Sequence, residues 1–247
     1  MDSVLQSRYI PAVRAARELL HSAPATHTQL DPDIDSALLL RFLIQFSAWA
    51  VQMTEPVEGW IRRAGERCQE LGLPEIGRDL VLHATHEAGH HLMLVRDTHI
   101  LVKRWNSRFA MQLDAAELLR QRATPAMRRY AALHERTIES DAPYGQVAIE
   151  LEIEGMSTTL GNGFIQNCRS VLGSEALEGL SFIREHVAID VGHTAFNTRL
   201  MERLLRLRPD AAEELAAIGS EALRTYVEFF AECLGVATYD WSRSQAA

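Results

Sequence analysis

The sequence predicts an all-α protein folded as a single domain, and three observations carry that expectation. Apolar residues recur at steps of three and four through nearly the whole chain, which is the helical period. Strand-like alternation is missing except at residues 147–154, VAIELEIE, a run that is ambiguous by itself but is flanked by long helical stretches. Pro and Gly are sparse, and neither a linker, a low-complexity segment nor a solenoid-length repeat interrupts the chain. The 247 residues, 47% hydrophobic, are enough for a sizeable core, expected over about residues 33–235 of one domain covering 1–247.

Residues 2–21 read as a first helix, with apolar positions at Val4, Leu5, Ile10, Val13, Ala16, Leu19 and Leu20, and residues 22–32 as a loop. Asp33 is a plausible N-cap for a second helix reaching Thr54, whose Leu39, Phe42, Phe46, Trp49 and Met53 form an aromatic-rich stripe. That stripe suits either core or the wall of a substrate pocket. A helix over 57–71 ends at Gly72-Leu73-Pro74, and a long one over about 75–105 carries most of the histidines. Shorter helices are expected over 113–121 and 125–139. Another starts at Ala142-Pro143 and breaks or kinks at Gly161-Asn162-Gly163 before continuing through 164–172. Two more follow, over 182–205 and from Pro209 to about Leu234, the whole amounting to about seven main helices.

A net charge of −8 and a pI near 5.7 argue against nucleic acid or an anionic membrane as the main partner. Arg62, Arg63 and Arg67 make only a short basic patch, best read as a solvated helix face. Cys68, Cys168 and Cys233 are odd in number and scattered, which suggests neither disulfides nor a thiolate metal site and fits a reducing cytoplasm. No 18 consecutive residues are apolar, so a soluble protein is expected. The partners left are a small-molecule substrate and, in a homodimer, a second copy of the chain.

Chemistry concentrates in three helical segments. His186, Asp190 and His193 stand at steps of four and three, within about 60° of one another on the helix, among Phe182, Ile189, Phe196 and Leu200. Burying a carboxylate there costs several kcal/mol unless a metal ion or a hydrogen-bonded triad compensates; a solvated face would avoid the cost. Glu87 and His90 are three apart, sharing a face with His83, Leu94 and Asp97, and Glu-x-x-His on helices is how carboxylate-bridged metal pairs are built in helical bundles. His86, His91 and His99 face elsewhere. Glu154 is the third candidate: Val147, Leu151 and Thr158 extend its face, and Gly155 is expected to admit a neighbouring helix. Glu150 shares its face and is an alternative ligand, as is His83; Glu150 and Glu152 also suit a solvated charge face. Three carboxylates and three imidazoles suit one or two divalent ions, with iron, manganese and zinc all compatible. A competing pattern is His86-Glu87-x-x-His90, the zinc-peptidase motif in which Glu87 would be a base; no metzincin continuation or peptide-binding strand supports it.

At these residues the chain resembles the haem-oxygenase-like di-iron oxidases and oxygenases, and in particular the terminal-alkene-forming fatty-acid decarboxylase type. The likeness rests on Ile153-Glu154-Gly155, the His186-Asp190-His193 motif, and Tyr226, Phe229, Phe230 and Cys233, and it covers roughly residues 38–234. It implies a seven-helix domain in which Glu87, His90, Glu154, His186, Asp190 and His193 hold Fe(II), two ions per chain with one labile, and dioxygen is the co-substrate. The implied reactions are oxidative decarboxylation, C–C cleavage or N-oxygenation of a small carboxylic or amino acid derivative. Some relatives place the first Glu and His seven apart, whereas position 94 here is Leu; His83, seven before His90, is the substitute ligand. The haem-binding branch is echoed in Glu154-Gly155-Met156-Ser157 and Leu160-Gly161, with only His21 and His27 early enough to be its proximal ligand. A thiaminase-like enzyme or a non-enzymatic binding protein of the same fold is a further alternative. Phe42, Phe46, Trp49, Tyr226 and Phe229 are the expected walls of an apolar pocket.

Overall fold

The computed structural model describes residues 3–245, apart from the side chains of Val191 and residues 243–245, and the described residues form helices without a strand. The expected helical start at Asp2 lies outside them. A π-helical turn, Leu5–Tyr9, runs into α1, Ile10–Ser22, whose Val13, Ala16 and Leu20 are buried. Where a loop is expected, Pro24 at the first helical position starts a short α2, Pro24–Leu30, because Ala25, Thr26 and Gln29 find a buried face.

The second expected helix is α3, Ser36–Thr54, capped by Asp35 rather than Asp33: the Asp35 carboxylate accepts from the Ala37 and Leu38 amides at 2.8 and 3.2 Å. It is followed by α4, Val57–Glu70. By length and composition the stretch Ser36–Glu70 is apolar enough to cross a membrane, but 89% of its most apolar window is buried inside the molecule. The core accounts for its apolarity.

The long histidine-bearing helix is two helices, α5, Pro74–Glu87, and α6, His91–Asn106. Gly89 separates them at φ +82°, a left-handed conformation that glycine adopts without a Cβ penalty. The chain continues through α7, Ala115–Leu119, shorter than expected, and α8, Pro125–Glu139. The ambiguous VAIELEIE run lies within α9, Gln146–Leu172, an unbroken helix of 27 residues. The expected interruption at Gly161 is absent because that glycine serves packing: a Cβ there would collide with Val187 of the next long helix. Gly155, expected to permit the close approach, has open space beside it.

The third ligand-bearing helix is α10, Ser181–Leu207, and α11, Ala212–Gln245, extends well past Leu234. With the break at Gly89 and the short α2 and α7, there are eleven α-helical segments among the described residues, against about seven expected. Buried apolar side chains from Leu5 to Ala237 form one connected core cluster. Glu150 and Glu152 are buried, not solvated. Glu152 is satisfied by Arg17, whose Nε and Nη2 each donate at 2.8 Å, and by the Tyr9 hydroxyl at 2.9 Å.

Candidate metal centre

Helix α10 is seated by a carboxylate from another helix. Asp97 of α6 accepts from the amides of Ser181 and Phe182, at 3.0 and 2.9 Å, and from the Ser181 hydroxyl at 2.7 Å. Three otherwise orphan donors of the α10 N-terminus are thereby satisfied, and His186 follows one turn later. The His186 Nδ1–H donates to the Phe182 carbonyl at 2.8 Å, since a carbonyl can only accept. That leaves Nε2 for the interior, 3.9 Å from Glu87 Oε2. Metal-binding imidazoles are commonly held in this way.

Glu87, the last residue of α5, divides its two oxygens between two groups. Oε2 faces His90 Nδ1 at 3.0 Å and His186 Nε2 at 3.9 Å. Oε1 faces His193 Nδ1 at 3.6 Å and His83 Nε2 at 4.0 Å. Glu154 Oε1 completes the second group, 3.0 Å from His83 and 3.5 Å from His193, while its other oxygen accepts from Asn197 Nδ2 at 2.5 Å. Two donor sets result, His83, Glu87, Glu154 and His193, and Glu87, His90 and His186; within each set the donor atoms lie within 4.8 Å of one another.

The donors fit divalent ions. Two ligand atoms each about 2.1 Å from one ion and 90–110° apart stand about 3.0–3.4 Å from each other; the closest pairs here, at 3.0, 3.5 and 3.6 Å, are near that range. Several atoms in and beside the two sets lack a hydrogen-bond partner of good geometry although buried: both Asp190 oxygens, Glu154 Oε1, both His83 nitrogens and His193 Nδ1. Burial would raise the Glu87 and Glu154 carboxyls, but the facing imidazoles outweigh it and hold both below the ordinary carboxylate range. The reciprocal effect raises His83 and His186 against their burial, and Asp190 with Glu154 pushes His193 up to about 10. In the metal-free protein, protons on imidazoles therefore balance the carboxylates, and a divalent ion would displace them.

Of the six expected ligands, five fall in the two donor sets. Asp190 stands beside them, with Oδ1 3.5 Å from His193 Nδ1. His83, expected only as a substitute, takes a place in the first set because α5 brings it against Glu154 of α9. Glu150 belongs to neither. Burial, together with Glu154 and Glu87, pushes its carboxyl up to about 8 against the opposing influence of His83, and Gln146 Nε2 donates to it at 2.5 Å. Asn197 was missed, although it continues the His186-Asp190-His193 stripe by one further step of four. The zinc-peptidase geometry is lost at the Gly89 break: His86 and His90 no longer share a continuous helix, and His86 is exposed, stacked on the His193 ring at 5.5 Å.

A cavity of about 150 Å³ opens from the centre, with Glu87, Glu154, His186 and Asp190 in its wall. Phe42, Phe46 and Tyr226 line it as expected, together with Phe164, Phe182 and Phe230; Trp49 and Phe229 do not. On α3 the lining repeats at 42, 46, 50 and 54, and Trp49 is turned about 100° from Ala50. Phe229 is fully buried behind the wall, its ring 5.8 Å from that of Phe46. Neither His21 nor His27 reaches the cavity; both are exposed.

Neither a family model nor a curated protein matches this chain. Several solved structures do, including the following two. One is a domain of unknown function with a haem-oxygenase-like fold from Shewanella denitrificans OS217, 17% identical, with a TM-score of 0.68 over 95% of this chain and 92% of that one. The fold is haem-oxygenase-like. The other is a TenA homologue from Pseudomonas syringae pv. tomato DC3000, 13% identical, with a TM-score of 0.65 over 92% of this chain and 91% of that one. At these identities the likeness concerns the haem-oxygenase-like architecture alone, and the chemistry must be read from the site.

Proposed function

We propose that this chain is a non-haem di-iron oxidase or oxygenase that uses dioxygen on a small carboxylic or amino acid derivative with an apolar body. The observation that carries the reading is Glu87, whose two oxygens face two separate His/Glu donor sets, the arrangement of a carboxylate bridging two ions. Glu87, His83, Glu154 and His193 would hold one ion, and Glu87, His90 and His186 the other, with Asp190 at hand beside His193. When bound, iron supplies the dioxygen chemistry that amino-acid side chains lack.

The chain's own residues do the rest. The Phe182 carbonyl fixes the tautomer of His186, Asn197 turns Glu154 so that Oε1 faces the centre, and Asp97 holds the first turn of α10 in register. The phenylalanine walls exclude water and receive an apolar body. Glu150 places a buried carboxyl, bonded by Gln146, in the cavity wall beside Glu154.

A second reading, a thiaminase-like enzyme without iron, has the likeness to the TenA homologue in its favour. Against a thiol nucleophile, none of the three cysteines lines the cavity, and burial pushes the Cys68 and Cys168 thiols up to about 12. We assign the protein to the cytoplasm, with a small molecule as its partner, alone or as a homodimer, and without nucleic acid or membrane.

The test is oxygen consumption by Fe(II)-loaded protein across fatty acids and amino-acid derivatives, with products read by mass spectrometry. Iron- and substrate-dependent uptake is expected. Turnover that proceeds equally without iron would favour the second reading.

A further inference from the structure

The far end of the cavity is not apolar. Helix α2 contributes Thr26 and Gln29, three residues apart and so on one face, and both line the same cavity as Glu87 and His186. Thr26 is 3% and Gln29 6% exposed, yet Thr26 Oγ1 and Gln29 Nε2 have no hydrogen-bond partner. A buried amide or hydroxyl left unpaired costs about 1–3 kcal/mol, and two in one short helix call for a partner. The helix is tied where these groups are needed: Asn167 Nδ2 of α9 donates to the backbone carbonyls of Gln29 and Asp31, at 2.8 and 3.0 Å.

Helix α9 sets the distance between the two ends. It carries Glu154 at the metal centre and lines the cavity as far as Phe164, about 15 Å of helix at 1.5 Å per residue. Between them the wall is mainly apolar, with Leu160, Gly161 and Phe164 on α9 and Phe42 and Phe46 opposite, interrupted by Ser157. The cavity therefore has a charged end, an apolar middle and a neutral polar end. No Lys or Arg is among its lining residues, so a second carboxylate at the α2 end would be buried without a counter-charge.

From this we infer that the substrate is an elongated molecule with two polar ends, whose second end is a neutral hydrogen-bonding group, a carboxamide or other carbonyl, held by Gln29 Nε2 and Thr26 Oγ1. The amide nitrogen of Gln29 can only donate, so it selects an acceptor; the Thr26 hydroxyl can accept from an amide N–H or donate to a carbonyl. This refines the substrate class of the proposed function and rests on that reading only for which end reacts.

The test is binding of three chain-matched probes to the full-length protein by calorimetry, over a ladder of chain lengths, with and without Fe(II). The probes are a plain alkanoic acid, the same acid with a terminal carboxamide, and the matching dicarboxylic acid. At the best length the carboxamide acid is expected to bind about tenfold tighter than the plain acid, and the dicarboxylic acid more weakly than the carboxamide. Gln29→Leu and Thr26→Val, close in size to the native residues, should erase the carboxamide preference while still binding the plain acid, which shows that they are folded. The probes share one carboxylate end, so their contrast reads the α2 end alone and stands whether or not iron is taken up. Equal or tighter binding of the plain acid, a carboxamide preference that survives both substitutions, or no binding by any probe would overturn the inference.

Discussion

His134 should govern part of the acid sensitivity of the fold. Its ring is fully buried, stacked on Trp60 at 4.1 Å and edge-on to Tyr130 at 4.6 Å, with Gln146 Nε2 2.9 Å from Nδ1. Burial depresses its pKa to about 3, against an ordinary value of 6.5, only partly opposed by Gln146 and Glu135. The folded state thus holds the neutral imidazole, while the unfolded chain takes a proton below 6.5. The contribution to stability is complete above 6.5 and is lost as pH falls from 6.5 toward 3. At about 1.4 kcal/mol per unit, the 3.5-unit difference amounts to about 5 kcal/mol over the whole window and roughly 2.3 kcal/mol between pH 6.5 and 4.5. Urea unfolding at a series of pH values, wild type against His134→Gln, isolates it. The wild type should lose roughly 2–3 kcal/mol more than the variant between pH 6.5 and 4.5, although the variant starts less stable. Parallel pH profiles would refute the assignment of a buried neutral imidazole.

Two further perturbations test how the ligand helices are placed. Asp97→Ala leaves the Ser181 and Phe182 amides without their acceptor and should cost about 2–3 kcal/mol in urea unfolding, with Asp97→Asn recovering part of it; no change would show that α10 is seated by other contacts. Gly161→Ala drives a methyl group into Val187 and should destabilise by about 1–3 kcal/mol, a fall in Tm of about 2–10 °C, largely restored by Val187→Ala; a stabilised single variant would mean that α9 and α10 are not in close contact there.

Helical period alone made the ligand residues legible, because side chains destined for one centre must share a face: His186, Asp190 and His193, and likewise His83 and Glu87, fall at steps of three and four. The place of His83 in the first donor set was not legible, since it depends on how α5 meets α9, a tertiary contact without local signature. Glycine roles were not legible: a helix was expected to run on through Gly89, and one to break or kink at Gly161. Gly89 terminates a helix through its left-handed backbone, while Gly161 stays helical to let Val187 approach, and a single letter serves either use. Gly155, flanked by the same kind of sequence, serves neither close approach nor termination. Likewise α2 has loop-like composition apart from Pro24 at its start, and it packs against α9 and α11. Trp49 and Phe229 belonged to the right stripes but were one helical step off the cavity, a difference of about 100° that an aromatic count does not resolve.

The claim that Glu87 joins two ion sites is tested most directly by anaerobic Fe(II) titration, followed optically and by Mössbauer spectroscopy, of the wild type, His90→Ala, His193→Ala and Glu87→Ala. About two ions per chain are expected for the wild type, about one for each histidine variant as its own set loses a donor, and weakened binding at both sites for Glu87→Ala. Two tightly bound ions in Glu87→Ala, or a wild type that takes up no more iron than the Glu87→Ala variant, would contradict it.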